Sequence, residues 1–173
     1  MLTKTAETAI LTVVYLAEQA SDTPVKPRDI AQQLGASPTY LAKITNLLVK
    51  ANVLRAQRGV RGGVSLSMPP EQIRLLDVIE ACQGRILGNY CQEFAEVELT
   101  CAFHQAMSQL HLAIVGVLKR WTLADLVARS EPAPSLRNQV FCRMACLRAR
   151  RETAEVGHLP VPPAVLGEAH ASN

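Results

Sequence analysis

Apolar positions recur at intervals of three and four near the start of the chain, at Ala6, Ala9, Ile10, Val13, Val14 and Ala17. That period predicts an amphipathic helix over residues 3–20, broken by Pro24. Pro27 suits the first position of a helix, and the short helix it opens runs to Leu34, where Gly35 supplies the stop. After Gly35-Ala36, Ser37 is a good N-cap and Pro38 a good N1 residue, so a second helix begins at once. It continues to about Lys50, with Asn52 available for a left-handed stop. Two helices joined by a tight glycine-containing turn form the helix-turn-helix pattern.

The second helix has two faces. Leu41, Ile44, Leu47 and Leu48 form a buried stripe, while Thr39, Ala42, Lys43 and Asn46 share the opposite side. A small, polar and cationic face suits a major groove, where base edges offer donors and acceptors; an ordinary solvated surface is the alternative. Two strand-like runs follow, residues 53–58 and 64–68, around Gly59-Val60-Arg61-Gly62-Gly63. Val64, Leu66 and Met68 alternate with Ser65 and Ser67, as in a half-buried strand. The glycines permit positive φ and close backbone approach, so the hairpin can lie against a phosphate chain. Arg58 and Arg61 flank its tip, within reach of phosphates or a narrow minor groove. The fold expected is mainly α: a winged helix-turn-helix with a small β-hairpin wing. Farther on, Phe103, Met107, Leu110, Ile114, Val117 and Trp121 are spaced 4, 3, 4, 3 and 4. This is a coiled-coil-like seam for pairing two subunits, or else the inner face of a core helix.

Composition adds one constraint and charge another. The 173 residues are 49% apolar, yet only 4% are aromatic, so the core must be aliphatic. The net charge of +3 is an average. Residues 25–63 carry Lys26, Arg28, Lys43, Lys50, Arg55, Arg58 and Arg61 against Asp29 alone, a block of +6. Such a block on the helix-turn-helix and wing is the footprint of a phosphate-backbone binder, or a solvated basic surface. Residues 64–104 are acidic, at −4. No apolar run approaches a membrane span, and the start of the chain lacks the order of a secretory signal; a cytoplasmic protein with no membrane partner is expected. Five Cys in a reducing compartment argue against a disulfide framework and raise metal or redox use.

Four motifs in order resemble the Rrf2 family of bacterial transcription regulators. They are Ser37-Pro38-Thr39-Tyr40-Leu41, the wing Arg58-Gly59-Val60-Arg61-Gly62-Gly63, the segment Leu75-Leu76-Asp77-Val78-Ile79-Glu80-Ala81, and the late Trp121-Thr122-Leu123-Ala124-Asp125-Leu126. The resemblance spans roughly residues 1–128. It implies a homodimer on a palindromic promoter operator in double-stranded DNA, paired through a long helix. It places Ser37, Thr39 and Tyr40 at recognition contacts and Arg58 as the wing arginine. With the residues read above, the candidate DNA-binding set is Arg28, Ser37, Thr39, Tyr40, Lys43, Asn46, Arg58, Arg61 and Gly62. Where iron–sulfur-assembly regulators often carry Glu after the Tyr-Leu pair, this chain has Ala42, so its operator sequence need not be theirs.

Many members of the family hold an iron–sulfur cluster in a loop before the long helix, commonly through three Cys. Here Cys91 and Cys101 match the first and third, but Ala95 stands near the middle position. His104, three residues after Cys101 at a helix start, can point the same way as that Cys. Glu7 matches a first-helix position that supplies a carboxylate from the opposite subunit in some nitric-oxide and redox sensors. The resemblance therefore implies a mixed set of Cys91, Cys101, Glu7 and His104, with Cys82 less favoured, for a 2Fe–2S cluster rather than 4Fe–4S. Zinc, or a metal-free Cys91/Cys101 thiol switch, is the alternative. On the residues alone Cys82 follows Leu75 and Ile79 on an apolar face as a buried thiol, His104 caps or packs, and Glu7 is solvated.

The expected organisation is a DNA-binding domain over residues 1–82, a sensor loop over 83–101, a dimerisation helix with closing motif over 102–128, and a partly disordered C-terminal extension over 129–173. In the extension Cys142 and Cys146 share a helix face, a weak metal signal. No Gly-rich phosphate loop or Ser/His/Asp set supports an enzyme, and Cys91 with His104 lacks an orienting partner. A winged helix that binds protein instead of DNA is the rival of another class.

Overall fold

The computed structural model describes residues 2–19, 23–86, 100–130 and 132–136. Helix α1 spans Lys4–Ala17, capped by Thr3, whose Oγ1 accepts from the Ala6 N–H at 3.2 Å. It is buried more completely than a simple amphipathic pattern predicts: Thr8, Leu11 and Thr12 lie inside with the apolar stripe. The two threonines are tolerated there because their hydroxyls donate back to the Lys4 and Thr8 carbonyls, at 2.8 and 2.7 Å, which leaves no orphaned donor. Helix α1 is thus the central post of the domain, packed by α2, α3, α4, α6 and the wing.

Helix α2 (Pro27–Leu34) ends at Gly35, whose φ of 64° is the left-handed conformation a glycine adopts at least cost. The Ala36 N–H returns to the Ala31 carbonyl at 2.9 Å, closing the turn. Helix α3 (Pro38–Lys50) starts on Ser37, whose Oγ accepts from the Tyr40 N–H at 3.2 Å. Asn52, at φ 57°, reverses the chain beyond α3. The buried stripe of α3 is Leu41, Ile44, Thr45 and Leu48, while Leu47 is only half-buried. Thr45 takes the inner place because its hydroxyl is satisfied by the Ala42 carbonyl at 3.1 Å.

Strands β1 (Leu54–Gln57) and β2 (Gly63–Leu66) pair antiparallel, with Leu54 opposite Leu66 and Gln57 opposite Gly63. Val25 from the α1–α2 connection bridges Val64 in both directions, N–H to carbonyl, at 2.9 and 2.8 Å. This third ribbon explains the glycine pair. A Cβ on Gly63 would stand 2.5 Å from the Val25 carbonyl oxygen, and one on Gly62 2.3 Å from that of Gln57. Gly62 and Gly63 therefore admit the protein's own backbone; in the wing only Gly59 has positive φ, at 109°, with open space around its missing side chain. The alternation expected of β2 fails at Ser65, which is buried and accepts from Arg55 Nε at 2.9 Å.

Helix α4 (Leu75–Gln83) leads toward the undescribed residues 87–99, and α5 (Ala102–Arg120) and α6 (Leu123–Ala128) follow. The end of α5 is stitched to the start of α4. Leu75 N–H donates to the Trp121 carbonyl at 3.0 Å, and Leu123 N–H to that of Ile73 at 2.8 Å. Thr122 and Asp125 form a reciprocal capping box on α6. The closing motif is therefore a structural joint. Trp121 lies just beyond the helix in extended conformation, so the helical seam ends at Val117. The core is aliphatic as composition requires: Val13, Val14, Ile30, Leu41, Ile44, Leu48, Leu54, Ile73, Ile79 and Leu123 are fully buried, with Tyr15 and Tyr40 at its margin.

Candidate nucleic-acid interface and sensor end

Three elements carry exposed polar and basic side chains. The capping geometry of α3 turns Thr39, Lys43 and Asn46 outward, and all three are exposed, with Ala42 half-buried beside them. Ser37 is exposed at the N-terminus of α3, where the helix dipole favours negative charge. Arg28 is exposed on the first turn of α2, and Lys26, at its N-cap, is a further exposed cation that the motifs alone did not single out. Arg58 and Arg61 are exposed on the wing, and Gly62 is half-buried at its base. Arg55, although part of the basic block, is held across the sheet by Ser65.

Tyr40 stands apart from this group. It is half-buried against the core, and its hydroxyl donates to Thr5 Oγ1 on α1 at 3.2 Å. The tyrosine braces α3 against the central post. That placement was not legible in sequence, because Thr5 lies 35 residues away.

The other end of the molecule is chemically different. Cys101 occupies the N-cap of α5 and is exposed, with Sγ 3.0 Å from His104 Nδ1. The His104 backbone N–H and then its imidazole lower the thiol pKa from its ordinary value, which favours thiolate. Cys82, by contrast, is half-buried on α4, and burial pushes its thiol up to about 11. That protonated form is a poor ligand and a poor nucleophile. Glu7 is exposed on α1, and Cys91, Cys142 and Cys146 lie outside the described residues. Among the described residues no three His, Cys, Asp or Glu gather into a metal-binding group. Cys101 and His104 are thus the two members of the expected donor set that the structure brings together.

Helix α5 buries no residue. Phe103, Leu110 and Val117, at seven-residue intervals along one stripe, are 58%, 48% and 45% exposed. Met107 and Ile114 are half-buried, and Trp121 is exposed past the helix end. Leu112, on the opposite side of the helix, is also exposed. No helix among the described residues is long and apolar enough to cross a membrane.

A helix-turn-helix joined to a clamped, arginine-tipped hairpin defines a winged-helix DNA-binding protein. Residues 2–129 match the Rrf2 family, described as iron-dependent transcriptional regulators. The chain belongs to this family and is a DNA-binding transcriptional regulator of the Rrf2 type. Among solved structures it is similar to CymR (YrzC), the global cysteine regulator of B. subtilis, with TM-score 0.63 and 24% identity over 76% of this chain and 98% of that one. A Listeria innocua protein of solved structure also has TM-score 0.63, with 25% identity over 82% and 95% of the two chains. IscR of T. potens has TM-score 0.62 and 23% identity over 82% and 92%.

Proposed function

We propose that two copies of this chain pair through the apolar stripe of α5 and present their α3 faces to a palindromic promoter operator. The observation that carries the reading is the joint exposure of Thr39, Lys43 and Asn46 on α3 with Arg58 and Arg61 on the wing, in a chain of this family. Thr39, Lys43 and Asn46 face base edges, Ser37, Arg28 and Lys26 take phosphates, and the wing arginines reach the backbone or an adjacent minor groove. Tyr40 contributes by holding α3 on α1. Titration of promoter DNA at several salt concentrations tests this. Affinity should fall steeply with salt, and Lys43→Ala with Arg58→Ala should flatten the slope by roughly one for each phosphate that is no longer neutralised. An unchanged slope would remove these residues from the interface and favour a protein-binding winged helix.

The signal is read at the Cys101 end. The family's description as iron-dependent and the pairing of Cys101 with His104 support a 2Fe–2S cluster held by Cys91, Cys101 and His104, with Glu7 as carboxylate ligand. When bound, such a cluster would supply a redox-responsive centre beside the pairing helix. The lowered thiol pKa of Cys101 supports a second reading, a thiol switch without metal; zinc on the same donors is a third. Anaerobic purification with absorption spectra and iron, sulfide and zinc analysis separates the three. A colourless, metal-free protein whose DNA binding survives Cys91→Ala with Cys101→Ala would exclude them all.

A further inference from the structure

At the tip of the wing, Val60 is 92% exposed, more than any other large apolar side chain among the described residues. It sits at the first central position of a turn closed by the Gly62 N–H, which donates to the Gly59 carbonyl at 2.9 Å. Neither Val60 nor Arg61 has positive φ. Such turn positions ordinarily go to Pro, Asp, Asn, Ser or Gly, which preset the backbone or supply local hydrogen bonds; valine does neither. The turn also stands on a fixed base, because Gly62 and Gly63 are hemmed in by the backbones of Gln57, Gly59 and Val25. An apolar group is thus held out into solvent on a firm support, with the exposed Arg58 and Arg61 on either side.

We propose that Val60 is a specificity residue that makes the wing reject guanine in the minor groove. The proposal rests on the DNA-binding reading above and assigns a selective role to one side chain within it. The two guanidinium groups are drawn to the phosphates and to the negative potential of a narrow minor groove. Between them Val60 packs on the sugar walls and the groove floor. An A·T or T·A pair shows only acceptors there, whereas a G·C pair adds the guanine 2-amino donor. Against valine that donor is stripped of water and given no acceptor, which costs binding. Selection against G·C under the wing then needs no base-specific hydrogen bond.

The test uses full-length protein and duplexes selected by it from random-sequence DNA. Wild-type sites should exclude G·C at the pairs the wing covers. Placing one there should weaken binding by roughly fivefold or more, and inosine for that guanine, which lacks the 2-amino group, should restore it. Val60→Asn, a residue at home in turns and able to accept from the amino group, should lose this discrimination while keeping the salt slope. The proposal is overturned if inosine restores nothing, or if Val60→Asn discriminates as the wild type does while binding remains salt-dependent. A wild-type protein that selects no site would overturn the DNA-binding reading as well.

Discussion

Two helices of similar hydrophobic content have opposite fates in this chain. Helix α1 is buried along nearly its whole length, including two threonines, while the longer α5 buries nothing. The apolar side chains of α1 meet neighbours within the same chain, from α2, α3, α4, α6 and the wing. The Phe103, Leu110 and Val117 stripe is exposed, while the C-terminal end of α5 is stitched to the head through Trp121 and Leu123 and packs Leu118 against the core. The winged head buries its apolar side chains within one chain, whereas α5 keeps an exposed apolar stripe, the surface we propose for pairing.

The largest expected effect breaks the head. Leu48→Ala removes a fully buried side chain and should destabilise the domain by about 2–5 kcal/mol in denaturant unfolding. Leu110→Glu on α5 should leave the head folded by circular dichroism but shift the sedimentation coefficient to that of a single chain. If Leu110→Glu unfolded the protein instead, α5 would be a core helix and the contrast would collapse. Next in size is Gly63→Ala, whose Cβ meets the Val25 backbone. Displacing the third ribbon should cost about 1–3 kcal/mol and weaken DNA binding, since the wing loses its support.

Smaller still is the joint between the two regions. Thr122→Ala removes the cap of α6 and should cost about 1 kcal/mol. The Thr122 backbone N–H, then its hydroxyl, and more weakly Arg129 hold Asp125 below the ordinary carboxylate range. Because the folded-state pKa is depressed, this stabilisation is present above the ordinary Asp value of about 4 and is lost as pH falls through the lower folded value. Asp125→Asn should flatten the acid limb of the stability curve. The mildest test leaves stability untouched. Peptide-resolved alkylation should label Cys101 at lower pH than Cys82, and His104→Ala should move the Cys101 profile upward. Equal profiles would deny Cys101 the reactivity that the proposed sensing role requires.

Much of the head was legible in the residues because its signals are local. Ser37, Pro27, Pro38, Gly35 and Asn52 mark helix ends through backbone geometry that each residue carries with it, and all mark ends in the structure. The hairpin was legible too, but the reason for its glycines was not. A sequence shows that Gly62 and Gly63 permit close approach; it does not show that the approaching backbone is Val25. Ser65 departs from the expected alternation, and Thr45 joins the buried stripe of α3 where Leu47 was expected, for a related reason: a buried hydroxyl is acceptable once a partner satisfies it, and the Ser65 partner, Arg55, sits on the neighbouring strand. Of the sensor set, the pairing of Cys101 with His104 follows from their three-residue spacing. The protonated state of Cys82 follows from burial that only the packed domain creates.

The sequence by itself determined the helix-turn-helix, the basic wing, the aliphatic core and the apolar stripe of α5, because capping, periodicity and charge act over a few residues. Only the tertiary structure decided which polar side chains stay exposed and which brace another element. It turned Tyr40 toward Thr5, bound the wing to Val25, placed Trp121 in a joint and left Val60 at an open tip. Those outcomes depend on contacts between segments distant in the chain, and steric fit and hydrogen-bond satisfaction settle them only when the segments meet.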